Sequence, residues 1–138
     1  MKHDFSTILK NKKFKVTPAR VAILEVFSKE CKPVNAEEIF DSVKDTKIDQ
    51  VTVYRTLNSF EETGILKRVD LRKGSAYYEL NSAQHHHHIV CTICGTIEGF
   101  DMCSVEKISK EVLNTSKKFK TISDHSLELF GSCTKCSK

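Results

Sequence analysis

Between positions 85 and 95 the chain reads His85-His86-His87-His88-Ile89-Val90-Cys91-Thr92-Ile93-Cys94-Gly95, four imidazoles and two thiols within ten positions. Such a density of nitrogen and sulfur donors points to metal chemistry. The β-branched Ile89, Val90 and Ile93, closed by Gly95, make the run an extended segment ending in a turn. Side chains of a strand alternate between faces, so His85 and His87 would point one way and His86 and His88 the other. The tetrad then serves two separate sites. Cys91 and Cys94 belong to a third, because a matching Cys133-x-x-Cys136 stands near the C-terminus. Two such knuckles supply four thiolates, the closed tetrahedral set of structural zinc. The competing reading of the histidines is a solvated polar loop or an expression tag. A tag would sit at a terminus, and this tetrad is internal.

The elements around this run must hold it in place, and the chain is short. Its 138 residues allow one compact domain or two small ones. Small halves bury little apolar surface, so a zinc staple or dimerisation is expected. The longest apolar runs, such as Val21 to Leu24, fall far short of a membrane span. Met1-Lys2-His3-Asp4 leads into no signal-type apolar core. The expectation is therefore a cytoplasmic protein with no membrane partner, where reduced thiols favour metal over disulfides. Beyond the knuckles, Cys31 and Cys103 remain as spare thiols. A net charge of +4 is a weak signal, but Lys10, Lys12, Lys13, Lys15 and Arg20 cluster near the start. Such a patch attracts phosphates or is simply a solvated face.

Three helices can be read in the first 64 residues. Thr17 is an N-cap followed by Pro18 at the first helical position, and Ile23, Leu24 and Phe27 repeat at helical spacing. Asn35 opens a second helix with Glu38 three residues on and Val34 and Ile39 placed as a hydrophobic staple. The third runs from Asp49 to Gly64 and turns Val53, Leu57 and Phe60 to the core. Its opposite face carries Val51, Thr52, Arg55, Asn58 and Ser59, short and nearly free of negative charge, which suits a DNA major groove. An ordinary solvated face would look the same. After Gly64, Leu66 to Leu71 and Ala76 to Leu80 alternate on either side of a Lys73-Gly74 turn, a β-hairpin bearing Lys67, Arg68, Arg72 and Lys73. Three helices and a basic hairpin make a winged helix-turn-helix, with the third helix on base edges and the wing on the DNA backbone.

The fold class expected is α+β: a winged-helix DNA-binding domain over 1–80, a hinge at 81–84 and a metal-binding dimerisation domain over 85–138. In the last part the metal-rich strand precedes a helix from about Ser104 to Ser116 and a final strand from Phe119 through His125 to Phe130. This remnant is thin for a core, and its edges invite a second copy. A homodimer would present two reading helices to a two-fold symmetric site in double-stranded DNA.

At this point the sequence resembles the ferric uptake regulator family over essentially its whole length. The matching stretches are Lys15-Val16-Thr17-Pro18-Ala19-Arg20, Ala36-Glu37-Glu38-Ile39-Phe40, Thr52-Val53-Tyr54-Arg55-Thr56-Leu57, the 85–95 run, and His125-Ser126-Leu127-Glu128-Leu129-Phe130-Gly131. The resemblance implies a dimeric, metal-activated transcriptional repressor of metal-uptake genes. It implies structural Zn2+ on Cys91, Cys94, Cys133 and Cys136. It implies a second site in the dimerisation half on His85, His87, Glu106 and His125, and a regulatory site on Glu79, His86 and His88. Lys15, Arg20, Thr52, Tyr54, Arg55, Ser59, Arg72 and Lys73 become the candidate DNA contacts.

The chain departs from the family pattern at the regulatory site. The loop before the second helix, where relatives often place a histidine, reads Cys31-Lys32-Pro33, and Gly99 stands where many have a carboxylate. Glu98, Asp101 and Cys103 are the substitutes at hand. The mixed imidazole and carboxylate set suits Fe2+, Mn2+ or Zn2+. Ligands from both halves would lock them in one orientation, so that metal affinity becomes DNA affinity by linkage. The iron-uptake branch is the first reading. The zinc-uptake branch, which resembles a site using a cysteine where this chain has Asn81, is the runner-up, and the peroxide-sensing branch resembles it less. An enzyme is disfavoured: no histidine has a glutamate two residues on, as a zinc deaminase requires. A redox role for Cys91-x-x-Cys94 lacks the β-α context, and its partner knuckle explains it better. A zinc-ribbon interaction module without DNA binding is the remaining alternative.

Overall fold

A computed structural model describes residues 4–30, 32–81, 87–101 and 104–137 of the chain. Cys31, His85, His86, Cys103 and most of the expected hinge lie outside the described residues. The chain divides into two units, 1–82 and 83–138.

The first unit contains one helix more than the periodicity revealed. Helix α1 spans Phe5–Asn11, capped by Asp4, and buries Phe5 and Leu9. Helix α2 spans Pro18–Lys29, with the Thr17 side chain accepting from the Arg20 amide and proline in the first turn. Helix α3 spans Ala36–Val43, and the Asn35 side chain accepts from the Glu38 amide at 2.9 Å. Val34 and Ile39 are both buried, as a staple requires. A 3-10 turn over Lys44–Thr46 leads through Lys47, in the left-handed region, to helix α4, Gln50–Glu62. Asp49 caps α4 by accepting from the Thr52 amide at 2.8 Å. Beyond the C-cap Thr63, Gly64 adopts φ +82, the left-handed conformation in which glycine escapes the Cβ clash.

The wing is a three-stranded antiparallel sheet rather than a lone hairpin. Strands β2 (Leu66–Val69) and β3 (Tyr77–Leu80) pair with Lys67 opposite Glu79. A short β1 (Val34–Asn35) adds to the other edge of β3, giving the order β1-β3-β2. Two residues are too few for a periodic signal, so β1 had no signature in the chain. Ile23, Leu24, Ile39, Val53, Leu57 and Phe60 form the centre of this unit's core, with Leu66 and Tyr78 closing it from the sheet. Burying apolar side chains on this scale is the main force holding the unit together.

The second unit has a mixed sheet in the order β5-β4-β6. Strand β4 (His87–Cys91) is central, antiparallel to β5 (Ile97–Phe100) and parallel to β6 (Glu128–Gly131). Helix α5 (Val105–Thr115) makes the crossover. The last strand is far shorter than Phe119 to Phe130: 119–127 are not strand, and β5, which the chain did not announce, pairs along the other edge of β4. Among the described residues its buried set is small: His87, His88, Val90 and Cys91. Ile89, Ile108, Val112, Phe119, Ile122 and Leu129 remain exposed.

Candidate metal centre and nucleic-acid interface

The parallel pairing of β6 on β4 builds the metal centre. It sets Cys91 beside Gly131, so Cys133 arrives two residues later against the first knuckle. Each knuckle is a tight turn: the Gly95 amide donates to the Cys91 carbonyl at 2.9 Å, with Gly95 at φ +81, and the Cys136 amide donates to the Cys133 carbonyl at 3.1 Å. The sulfurs of Cys91, Cys94, Cys133 and Cys136 all lie within 4.8 Å of one another, and those of Cys94 and Cys133 are 3.7 Å apart. A tetrahedral zinc with Zn–S bonds of about 2.3 Å requires S···S edges of roughly 3.8 Å. The four thiols fit the ion.

The knuckle backbone also prepares the sulfurs electrostatically. The amides of Cys94 and Cys133 approach the Cys91 sulfur at 3.5 and 3.4 Å. These amides, with that of Ile93, bring the Cys91 thiol down to about 6. The Thr96 hydroxyl, 3.1 Å from the Cys94 sulfur, is the main cause of a lowered Cys94 thiol. Cys136 is pushed up to about 12, chiefly by the Cys133 thiol beside it. Cys91 is thus the thiol that loses its proton most readily, and a cation among the four sulfurs would offset the crowding that keeps the proton on Cys136. Thr96 was not among the residues singled out in the chain; a hydroxyl two residues beyond a knuckle cysteine was the available signal.

Other candidate ligands are spread differently. Strand β4 sets His87 and His88 on opposite faces, both buried, at 5% and 3% exposure. The His87 ring lies 5.4 Å from that of His125, centroid to centroid, and 5.6 Å from Phe100. Glu106 and His125 line one cleft of about 520 Å³ between α5 and 122–125. Among the described residues only the four cysteines form a group of three or more donors converging on one point. Glu79, in the first unit, pairs with Lys67 at 3.0 Å. Glu98 and Asp101 are exposed, and Gly99 sits opposite His88 in the register.

The nucleic-acid candidates lie on the first unit. Along α4, Val53, Leu57 and Phe60 are buried, while Tyr54 and Val51 are about half exposed, at 50% and 55%. Arg55 is exposed, and Thr52 and Ser59 are partly so. In the wing, Arg72 adopts φ +56 and its amide donates to the Asp70 carboxylate, while the Lys73 ammonium lies 5.6 Å from the Tyr77 ring centre. Arg68 is engaged within the unit, donating to Glu61 at 3.2 Å and lying 5.7 Å from the Tyr78 ring centre. Lys15 is exposed; Arg20 is partly buried, with a guanidinium nitrogen donating to the Lys15 carbonyl at 2.8 Å. No described helix is long and apolar enough to cross a membrane.

Comparison with known proteins agrees with these features. The family model described as the ferric uptake regulator family matches residues 11–130. The ferric uptake regulation protein of Cupriavidus metallidurans is 35% identical, over 92% of this chain and 90% of its own. The crystal structure of the Vibrio cholerae ferric uptake regulator superposes with a TM-score of 0.78 at 37% identity, covering 94% of this chain and 100% of that one. The ferric uptake regulator of Francisella tularensis with iron gives 0.77 at 32% identity, covering 100% and 99%. With a matching model over most of its length and relatives alike end to end, the chain belongs to the ferric uptake regulator family.

Proposed function

We propose that this protein is a metal-dependent DNA-binding repressor of metal-uptake genes, with iron as the first candidate effector. The observation that carries the reading is its end-to-end likeness to a ferric uptake regulator solved with iron. Zinc on Cys91, Cys94, Cys133 and Cys136 would staple the second unit, whose described core is too small to be self-sufficient. Glu79, His86 and His88 are the proposed regulatory ligands, with Glu98, Asp101 or Cys103 as supplements. His85, His87, Glu106 and His125 are the proposed second set. When bound, the regulatory cation would supply the difference in free energy between a DNA-competent and an incompetent arrangement. A ten- to hundred-fold activation needs only about 1–3 kcal/mol of coupling.

The reading helix would present Thr52, Tyr54, Arg55 and Ser59 to base edges, with Lys15, Arg72 and Lys73 on phosphates. The exposed Ile89, Ile108, Val112 and Leu129 are the surface a second copy would cover, giving a homodimer on a two-fold symmetric operator in the cytoplasm. The proposed role is regulatory rather than enzymatic. The test is DNA binding by the zinc-loaded protein, titrated separately with Fe(II), Mn(II) and Zn(II). Activation by Fe(II) or Mn(II) supports an iron-type regulator. Activation by Zn(II) alone moves the protein to zinc control, and tight binding with no added metal overturns metal dependence.

A further inference from the structure

The turn between α1 and α2 is basic and conformationally costly. Lys10, Lys12, Lys13 and Lys15 are all exposed there. Lys13 adopts φ +65, a left-handed conformation that is unfavourable for a residue with a Cβ. Strain of this kind persists only where the surroundings hold it. Two backbone bonds close the turn, Lys13 to Lys10 at 3.0 Å and Phe14 to Leu9 at 2.9 Å. Its far end is held by side chains. The Arg20 guanidinium donates to the Lys15 carbonyl at 2.8 Å and lies 5.1 Å from the centre of the Phe14 ring. Phe14 meets Phe60 edge to face, with centroids 5.5 Å apart and planes at 85°. Phe60 is fully buried on α4, the reading helix. A continuous path therefore runs from the Lys15 backbone through Arg20 and Phe14 to the helix proposed to enter the groove.

We propose that Arg20 is a positioning residue for DNA binding: it fixes the Lys15 backbone relative to α4, so that the Lys15 ammonium meets a phosphate, and it does not itself touch DNA. The inference rests on the DNA-binding reading and reassigns Arg20 from contact to support. A guanidinium suits this task because it can stack on a ring with its face while donating from its edge. A lysine ammonium is a point charge on a flexible stem. It can meet a phosphate, but it lacks the planar, pre-organised fork that fixes the carbonyl and the ring in one geometry.

The experiment measures the salt dependence of binding to a random-sequence duplex by the full chain loaded with zinc and manganese. Each phosphate that is no longer neutralised lowers the slope of log K against log salt by about 0.9. K15A, R20A and R20K are each expected to lower it by about that one step. The double variant K15A/R20A should show no greater drop than either single variant. Thermal melting followed by circular dichroism checks that the first unit is folded, and R20K guards against R20A failing to fold. A wild-type slope in R20K, or additive drops in K15A/R20A, would mean that Arg20 meets DNA directly and would overturn the proposal. If the wild-type protein shows no salt-dependent binding at all, the DNA-binding reading fails instead.

Discussion

The ammonium of Lys67 lies 3.0 Å from Oε1 of Glu79, across the register pair that joins β2 to β3. The carboxylate proposed as a regulatory ligand therefore already has a cation, supplied by the neighbouring strand. A divalent ion arriving at Glu79 must share it with, or displace, a group of like charge. The lysine side chain is 39% exposed and the glutamate 15%, so water screens the pair from one side. Pairs of this kind are worth roughly 0.2–1 kcal/mol, up to about five-fold in an equilibrium constant. Lys67→Met is expected to tighten Co(II) binding by about two- to five-fold on the same scale. Glu79→Gln should weaken it, and the double variant should match Glu79→Gln. Absorption of Co(II) titrated into zinc-loaded protein reads all three. No tightening in Lys67→Met beside a weakened Glu79→Gln would rule out competition by Lys67.

Zinc removal should act on one unit and spare the other. The apolar core of the first unit is extensive, whereas the described core of the second is little more than His87, His88, Val90 and Cys91. Cys133→Ser removes the sulfur 3.7 Å from that of Cys94 and alters the residue whose amide reaches Cys91. The expected result is loss of stoichiometric zinc, loss of the β4–β6 pairing, and a first unit that still melts cooperatively. Metal analysis and amide exchange at 87–91 and 128–131 check this. The pH dependence has a definite sign. Cys91 has a thiol lowered from 9.0 to about 6, so its thiolate is present at neutral pH and is lost as pH falls through that value. Bound zinc holds the thiolates against protonation. Zinc should therefore stay bound at neutral pH and be released only in acid, well below the value of about 6 at which the metal-free Cys91 thiolate takes up its proton. Retention of zinc by Cys133→Ser would count against the four-thiol assignment.

On the reading helix, exposed and buried positions should separate binding from folding. Arg55→Ala removes an exposed side chain proposed to meet base edges. A specific base contact is worth about 1–3 kcal/mol, so operator affinity should fall roughly ten- to hundred-fold with the melting temperature unchanged. Tyr54→Ala should act in the same direction by removing apolar surface from the interface. Leu57→Ala, one turn on but 1% exposed, should cost about 2–5 kcal/mol of stability and abolish binding only by unfolding. Calorimetry beside fluorescence anisotropy distinguishes the two patterns. Unchanged DNA affinity in Arg55→Ala and Tyr54→Ala would favour an interaction module that does not read DNA.

What could be read from the chain was what local chemistry specifies. The caps at Thr17, Asn35 and Asp49 all form, because each side chain needs only an amide three residues away. The knuckle pairing was legible because zinc demands four donors and the chain offers two matching pairs. Non-local features escaped. Helix α1 has only seven residues and two buried positions, too few for a periodic stripe. Strand β5 could not be told from a loop until β4 was known to have two neighbours. The Lys67–Glu79 pair depends on the hairpin register, and the hold of Arg20 on Lys15 depends on a left-handed Lys13 that no residue type announces.

The start of the reading helix offers the remaining test. Asp49 accepts from the Thr52 amide at 2.8 Å, so one side chain orders the turn that carries Thr52 and precedes Tyr54. The Thr52 side chain, and after it the Thr52 amide, hold the Asp49 carboxyl below its usual 3.8. The ionised cap therefore stabilises the folded state above that value, and its contribution disappears as pH falls through the lowered one. Asparagine caps a helix about as well as aspartate, while alanine offers no acceptor. Asp49→Ala should fray the first turn, speed amide exchange at Thr52 and Val53, and weaken DNA binding while Leu57 and Phe60 stay buried. Asp49→Asn should restore both exchange protection and DNA affinity, and it should remove the acid-dependent loss. Equal DNA affinity in Asp49→Ala and the wild type would mean that the first turn of α4 takes no part in recognition, and would move the reading surface elsewhere on the unit.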